Sequence, residues 1–109
     1  MATGDLPQDT RVVIVGGGVI GCSVAYHLAH LGWKDVVLVE RDRLTSGSTW
    51  HAAGLMSTFG STSETSVEMR MYTRDLYGRL EAETGQSTGF EPLGFVELAA
   101  DKDRVEEYR

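Results

Sequence analysis

Residues 11–40 read RVVIVGGGVIGCSVAYHLAHLGWKDVVLVE, and this stretch decides the fold. It opens with β-branched residues from Arg11 to Val15 and closes with a second apolar run that starts after Asp35 and ends at Glu40. Neither run alternates with polar residues, which favours strands covered on both faces, as in a parallel sheet. The sequence therefore predicts two parallel strands.

A helix is expected between the two strands. The apolar residues that recur at the spacing of one helical face are Ile20, Val24, Leu28 and Leu31. Such a stripe predicts one apolar face of the helix. Ala25 is expected to keep the contact between helix and sheet close, and Gly32 follows as a candidate helix stop. Strand, helix and strand then form a βαβ unit of roughly 30 residues.

Three glycines stand between the first strand and the helix. Gly16, Gly18 and Gly21 have the spacing GxGxxG. In this context the first permits a tight turn, the second lets the backbone approach a pyrophosphate, and the third lets the helix pack close to the strand. The start of the helix, at Val19 and Ile20, then offers its N–H groups to the phosphates.

An acidic residue at the end of the second strand completes this motif. Glu40 follows Gly21 by 19 residues and can accept hydrogen bonds from an adenosine ribose, whereas it would repel the 2′-phosphate of NADP. Arg41 can flank the adenine. The pattern predicts the α/β class, with a Rossmann-like dinucleotide-binding βαβ unit and an incomplete parallel sheet. It leaves the choice between NAD and FAD open.

The segment after the second strand, residues 47–55, reads GSTWHAAGL. Its hydroxyls stand beside glycines and can donate to phosphate or ribityl oxygens. Eleven residues separate Glu40 from His51, and an extended chain of that length reaches roughly 35 Å, enough to follow FAD from its adenosine to its flavin. The candidate cofactor residues of this segment are Gly47, Ser48, Thr49, Trp50, His51, Ala52, Ala53, Gly54 and Leu55.

The second half of the chain predicts one long helix and a short β segment. The stripe expected to face the core consists of Met69, Tyr72, Leu76 and Leu80. Residues 61–64 or 65–68 can form a capping box at the start of the helix, and Gly85 can end it. The stretches GFEP and GFVELAA resemble short strands that begin a substrate domain, and Asp101 is expected to start a further helix.

The composition excludes several functional classes. The chain has 109 residues, a formal net charge of −6 and one cysteine. A single cysteine excludes a disulfide scaffold, and the acidic balance argues against nucleic acid as a partner. No window approaches 18 consecutive apolar residues, so no membrane span is expected. His27 and His30 have no third ligand near in sequence, and no metal site is expected.

The two ends of the chain carry further expectations. Residues 1–10 are polar and are expected to form a disordered tail. They lack the features of a secretory signal or a transit peptide, which favours the cytoplasm, with the mitochondrial matrix as the alternative. Because two parallel strands do not close a core, residues 11–109 are expected to be the truncated N-terminal part of a cofactor-binding domain, catalytically inert by itself.

Residues 11–109 resemble the N-terminal region of the dimethylglycine and sarcosine dehydrogenases, within the D-amino-acid-oxidase-like flavoprotein superfamily. The resemblance rests on residues 11–40, on GSTWHAAG and on the later segments EAETGQSTGF and GFVELA. It implies FAD held by the glycine motif, by Glu40 and by residues 47–55. It implies further that His51, at the position of the histidine in the family's TWH sequence, is bonded covalently to the flavin 8α-methyl group.

The resemblance also implies a chemistry. The family oxidises the N-methyl group of a small amino acid by hydride transfer to the flavin. The resulting iminium yields formaldehyde or passes its carbon to tetrahydrofolate, which full-length members often bind in a C-terminal region. The expected partner is thus a small N-methylated amine. The family's catalytic residues lie mostly beyond residue 109, so none is assigned, and the electron acceptor and oligomeric state stay open.

Two alternatives share the same scaffold. One is another flavin oxidoreductase of the superfamily, acting on an amino acid or on glycerol phosphate. The other is a non-catalytic regulatory relative, which departs from the dehydrogenases at the TWH sequence. The presence of His51 favours a dehydrogenase over that relative.

Overall fold

The computed structural model describes residues 7–60 and 63–108 of the chain. They fall into two compact units, within Met1–Gly54 and Leu55–Arg109. Most of the expected N-terminal tail, residues 1–10, lies outside the described residues. Thr10, at its end, is held by the first unit, because its hydroxyl donates to the carbonyls of Val12 and Asp35 at 3.3 and 3.1 Å.

The first unit is built on two strands, β1 (Val12–Val15) and β2 (Val36–Val39). They pair in parallel, with Val12 opposite Val36 and Val15 opposite Val39. Ile14, in the middle of β1, is only 9% exposed. The predicted pair of parallel strands and the α/β class are confirmed.

Helix α1 (Val19–His30) connects the two strands and is closed by Gly32, as the sequence predicts. Gly32 adopts a φ of +86°. Its N–H donates to the carbonyl of Ala29, and the N–H of Trp33 donates to that of Leu28, both at 2.9 Å. These two bonds form a Schellman motif, which favours glycine because its backbone enters the left-handed region without a steric cost.

The face of α1 that lies against the sheet is the one expected from Gly21 and Ala25. Gly21 is buried and Ala25 is half-buried. The exposed members of the predicted stripe are Ile20, Val24 and Leu31, at 78, 43 and 74%. These large residues therefore do not form a buried face. A helix approaches a sheet most closely through residues with little side chain.

One face of the two-stranded sheet is uncovered among the residues that the structure describes. Val13 is 56% exposed and Val15 is 84% exposed, although their apolar run predicts a strand covered on both faces. A single crossover helix covers one face, and a parallel sheet needs a second layer for the other. The exposed second face agrees with the incomplete parallel sheet that the sequence predicts.

The second unit contains helix α2 (Glu64–Thr84). It begins at Ser63, whose hydroxyl accepts a backbone N–H at 3.5 Å. Neither predicted capping box is observed, since Thr65 lies inside the helix and Ser61 lies outside the described residues. Gly85 ends the helix with a φ of +72°, as predicted.

Half of the stripe predicted on α2 faces solvent. Leu76 is 7% exposed, whereas Met69 is 66% and Tyr72 is 47% exposed. Arg70, half-exposed near the start of the helix, donates from Nη1 to the carbonyl of Phe59 at 2.7 Å. The prediction that all four residues of the stripe face the core is therefore wrong.

The predicted β segment at residues 89–100 contains no strand. A strand needs ladder hydrogen bonds to a neighbour, and no described residue of this unit supplies them. Aromatic contacts occur instead: the ring centroid of Phe59 lies 5.8 Å from that of Phe95 and 5.6 Å from that of Tyr108. Helix α3 (Lys102–Glu107) follows, capped by Asp101 as predicted.

Two further findings concern the described residues alone. None of their helices is long and apolar enough to span a membrane. No three of their His, Cys, Asp and Glu side chains gather in a way that could hold a metal ion.

Candidate functional site

A groove of about 770 Å³ lies where β1 passes into α1 in the first unit. Its walls come from most of residues 14–21 and from Val24, from residues 40–42 after β2, and from residues 45–49 and Ala52 of the following loop. Ligand pockets have volumes of about 300–1,000 Å³. The groove therefore has the size of a small-molecule site, and it lies outside the carboxyl end of a parallel strand, where open α/β sheets bind ligands.

Residues 16–18, called the glycine loop below, connect β1 to α1. The two elements lie closer together than side chains at the motif glycines would permit. Gly16 adopts a φ of +100°, and its N–H donates to the carbonyl of Val39 at 2.8 Å. A Cβ on Gly21 would overlap the carbonyl oxygen of Gly16 and lie 3.4 Å from Cγ2 of Ile14. The tight turn and the close helix packing expected of these two glycines are both present.

The Glu40 carboxylate ties the end of β2 to the glycine loop. Its Oε2 accepts the N–H of Gly17 at 2.6 Å, and its Oε1 accepts the N–H of Asp42 at 3.0 Å. The hydrogen bond from Gly17, and after it that from Asp42, lower the pKa of Glu40, because they stabilise the ionised form. An ionised carboxylate offers about four lone-pair positions, so acceptor capacity remains for hydroxyls of a ligand.

The N-terminus of α1 opens onto the groove. Gly18 is its N-cap and supplies no side-chain hydrogen bond. The hydroxyl of Thr49 instead accepts the N–H of Val19 at 2.9 Å, and a Cβ on Gly18 would lie 3.0 Å from that hydroxyl oxygen. The first N–H groups of a helix have no intrahelical acceptor and carry partial positive charge. This end of α1 is thus suited to a phosphate.

Most of the residues predicted to bind a cofactor line this one groove. They are Gly16, Gly18, Val19, Ile20, Gly21, Glu40, Arg41, Gly47, Ser48, Thr49 and Ala52. The exposed Ile20, together with Val24, forms part of its apolar wall. Two faces of α1 are therefore apolar for different reasons, one for the sheet and one for the groove.

The remaining predicted residues lie outside the groove lining. Trp50 and His51 belong to a 3₁₀ turn, Ser48–His51, and their side chains are exposed. Ala53 and Gly54 follow that turn. Leu55 belongs to the second unit, where it lines a separate open cavity of about 710 Å³.

Sequence reasoning missed six groove residues, namely the apolar Ile14, Val15 and Val24 and the polar Asp42, Thr45 and Ser46. Thr45 donates its N–H to the carbonyl of Gly17 at 2.8 Å and has a φ of +65°. The signal that could have found it is the run of hydroxyls beside Gly47, which begins at Thr45 and not at Ser48.

The groove fits a dinucleotide by the chemistry of its donors and acceptors. The start of α1 suits a pyrophosphate, Glu40 suits the hydroxyls of a ribose, and Ser48 and Thr49 add hydroxyls to the wall. A Cβ on Gly16 or Gly47 would meet no atom within 4 Å, so the backbone there is open to a ligand.

Comparison with known proteins identifies the family. The family model described as DAO, FAD dependent oxidoreductase, matches residues 11–109. The chain belongs to this family. The resemblance seen in the sequence is confirmed, and the family supports FAD over NAD, a choice that the glycine motif leaves open.

Three relatives of this DAO-family chain illustrate its similarity. The mitochondrial pyruvate dehydrogenase phosphatase regulatory subunit of Mus musculus is 48% identical over 102 residues, 92% of the chain. Mitochondrial sarcosine dehydrogenase of Homo sapiens is 46% identical over 105 residues, 95% of the chain. Mitochondrial dimethylglycine dehydrogenase of Rattus norvegicus is 48% identical over 102 residues, 91% of the chain. The chain spans 11% of the length of each relative.

Proposed function

We propose that this chain is the cofactor-binding part of an enzyme that oxidises small N-methylated amino acids with FAD. The observation that carries the proposal is the groove in which the start of α1, the Glu40 carboxylate and the hydroxyl-rich loop converge. Similarity to sarcosine and dimethylglycine dehydrogenases supports the substrate class. Both of those substrates are N-methylated glycines, so we infer a small amine that also carries a carboxylate.

The roles of the chain's own residues follow from the groove. The N–H groups at the start of α1 bind the pyrophosphate, and Ser48 and Thr49 add hydroxyl donors beside it. Glu40 accepts hydrogen bonds from the adenosine ribose, and Arg41 flanks the adenine. When bound, FAD supplies the two-electron acceptor for oxidation of the N-methyl group. Tetrahydrofolate, as a carbon acceptor, is proposed only for a region outside this chain.

His51 is proposed to hold the flavin covalently. It ends the 3₁₀ turn that Thr49 fastens to α1, and its exposed side chain is open to a ligand. The imidazole nitrogen of a histidine is a nucleophile that can form such a bond. If the full-length protein is precipitated in acid, we expect the flavin absorbance to stay in the pellet for the wild type and to move to the supernatant for His51→Ala.

A histidine elsewhere in the unit provides the matched control. His30, exposed at the end of α1, can be changed to alanine and should leave the flavin in the pellet. Wild-type flavin found only in the supernatant contradicts covalent attachment while leaving FAD binding intact. If the His51→Ala variant keeps its flavin in the pellet, another residue attaches the flavin. If the protein carries no flavin in either fraction, the proposed function is refuted.

Substrate class needs a separate measurement. Rapid mixing of the anaerobic full-length protein with sarcosine or dimethylglycine should bleach the flavin absorbance, since oxidation of the amine reduces the flavin. D-alanine and glycerol 3-phosphate represent the other oxidoreductases of the superfamily. Bleaching by either of them alone would transfer the assignment to that class, and bleaching by none of the four would remove the enzymatic proposal.

A regulatory role is the second candidate. The chain is as similar to the phosphatase regulatory subunit as to the dehydrogenases, at 48% identity with the former and 46–48% with the latter. Percentage identity therefore does not separate the two, whereas His51 favours the dehydrogenase. Bound flavin that is neither covalent nor bleached by an amine would favour the regulatory role.

The compartment is proposed to be the mitochondrial matrix and not the cytoplasm. The three relatives named above are mitochondrial proteins. Fluorescence microscopy of the full-length protein with a C-terminal tag should show overlap with a matrix marker, and diffuse cytoplasmic signal would reverse this assignment.

A further inference from the structure

Thr45 has an unusual backbone for its residue type. Its φ of +65° is the one positive φ of a non-glycine residue among those that the structure describes. The left-handed region is unfavourable for residues with a side chain and most unfavourable for those branched at Cβ. Such conformations persist only where the surroundings hold them, and they concentrate at functional sites.

Gly17 holds Thr45 in this conformation and is itself fixed by Glu40. Its N–H donates to the carbonyl of Gly17 at 2.8 Å, and the N–H of Gly17 donates to Glu40 at 2.6 Å. Gly17 is buried, and a Cβ on it would overlap Cδ2 of Leu44. Two consecutive residues of the loop after β2 thus contact Gly17: Leu44 packs against it, and Thr45 donates a hydrogen bond to it.

The backbone at position 45 does not require a threonine. Glycine would adopt the same φ without a steric cost and would keep the N–H that bonds to Gly17. The reason for a threonine must therefore lie in its side chain, which belongs to a residue that lines the groove.

The hydroxyls along this loop differ in their partners. Ser46 donates to the carboxylate of Asp42 at 3.4 Å, and Thr49 accepts the N–H of Val19 at 2.9 Å. Within residues 7–60 and 63–108, the hydroxyl of Thr45 has no hydrogen-bond partner. It is a donor on the groove wall beside the glycine loop, the segment whose geometry suits a pyrophosphate.

We propose that Thr45 is a cofactor-binding residue whose hydroxyl donates a hydrogen bond to the pyrophosphate of the bound dinucleotide. The inference rests on the proposed function, because it takes the groove as the FAD site. The strained backbone keeps this hydroxyl at the groove while the N–H holds the loop. A hydrogen bond to a charged oxygen is stronger than one between neutral groups, so its loss should be measurable.

The test compares three variants of Thr45 in a full-length His51→Ala background, where bound FAD can dissociate. Thr45→Val keeps the branched shape and removes the hydroxyl, Thr45→Ser keeps the hydroxyl, and Thr45→Gly removes both side chain and strain. We expect Thr45→Val to bind FAD about tenfold more weakly and Thr45→Ser to stay within about threefold of the parent. Thr45→Gly should also bind about tenfold more weakly but unfold at an equal or higher temperature.

A competition assay identifies the group that the hydroxyl contacts. ADP, which carries a pyrophosphate, should compete with FAD about tenfold less well in Thr45→Val than in the parent, whereas adenosine should compete equally well in both. Thr73→Val is the matched control, because its hydroxyl donates to the carbonyl of Met69 within α2 at 2.8 Å. It should leave the FAD affinity unchanged.

The outcomes separate this inference from the proposed function. Parental FAD affinity in Thr45→Val, or in Thr45→Gly if the valine variant fails to fold, overturns the inference alone. Equal loss in Thr45→Ser and Thr45→Val, or equal loss for adenosine and ADP, also overturns it. A parent that binds no FAD overturns the proposed function itself. If Thr45→Gly is less stable than the parent and also binds FAD more weakly, Thr45 has a purely structural role.

Discussion

The glycines of the two units meet different physical needs. In the first unit, a Cβ on Gly18 would lie 3.0 Å from Thr49, and a Cβ on Gly21 would overlap a backbone carbonyl. In the second unit, a Cβ on Gly78 or Gly85 would meet nothing within 4 Å. Gly18 and Gly21 are required by close contact with another segment of the chain, whereas Gly85 is required only by its φ of +72°. Glycine-to-alanine substitutions therefore distinguish a packed site from a local turn.

Gly21→Ala should have the largest effect. The new methyl would overlap the carbonyl oxygen of Gly16, which belongs to the backbone and cannot rotate away. We expect a loss of at least about 3 kcal/mol in the free energy of unfolding, the upper end of the cost of overpacking, together with loss of FAD binding. Chemical denaturation and flavin titration of the full-length protein measure both. A variant that is as stable as the wild type would show that α1 and β1 can separate freely.

Gly32→Ala and Gly85→Ala should have intermediate and nearly equal effects. Both glycines follow a helix with positive φ, at +86° and +72°, and neither has an atom within 4 Å of a would-be Cβ. A residue with a side chain in this region costs about 1–2 kcal/mol. Thermal unfolding curves of the two variants and the wild type, measured under the same conditions, check this expectation. A much larger loss at Gly32 would show that packing, and not backbone conformation, governs all glycines of the first unit.

Gly78→Ala should be stabilising. Gly78 lies inside α2, and a Cβ there meets no atom within 4 Å. Alanine in a helix interior is favoured over glycine by roughly 0.5–1 kcal/mol. The measurement is the midpoint of denaturant unfolding against the wild type. Destabilisation would mean that this face of α2 is covered in the full-length protein.

The smallest effect concerns the pH dependence of stability. The pKa of Glu40 is lowered from 4.5, mainly by the N–H groups of Gly17 and Asp42 and with help from the charge of Arg41. A lowered carboxyl pKa adds stability above pH 4.5, and that stability is lost as the pH falls through the folded-state value. The wild type should thus exceed Glu40→Gln in stability at neutral pH, and the two should converge in acid.

A carboxylate of the second unit provides the control for the comparison of Glu40→Gln with the wild type. Glu83 accepts from Arg79 at 3.0 Å in an exposed ion pair, and such pairs contribute at most about 1 kcal/mol. In urea unfolding at neutral pH, Glu83→Gln should therefore change the free energy of unfolding by at most about 1 kcal/mol, which measures what the loss of an exposed charge does by itself. A wild-type advantage over Glu40→Gln that persists unchanged into acid would contradict the role of the ionised carboxylate.

The elements of the first unit were predictable because their signals are local. The β-branched runs mark both strands, and Gly32 marks the end of α1. The close contact of α1 with the sheet was predictable from Gly21, whereas the spacing of large apolar residues did not show that Val24 lines the groove.

The second unit was predicted less well for a related reason. The ends of α2 at Gly85 and the start of α3 at Asp101 depend on neighbours in sequence and were identified. The strands predicted within residues 89–100 depend on a pairing partner that no described residue supplies. β-propensity alone does not form a strand, because its backbone groups need a neighbouring strand.

The sequence by itself determined the order of β1, α1 and β2, the positions of the site glycines, the acid at Glu40 and membership of the DAO family. Only the tertiary structure decided how these parts meet. The bond from Gly17 to Glu40 joins residues 23 apart, and that from Val19 to Thr49 joins residues 30 apart. Contacts across such distances leave no periodic pattern along the chain, and neither does the left-handed backbone of Thr45, which exists because Gly17 holds its N–H.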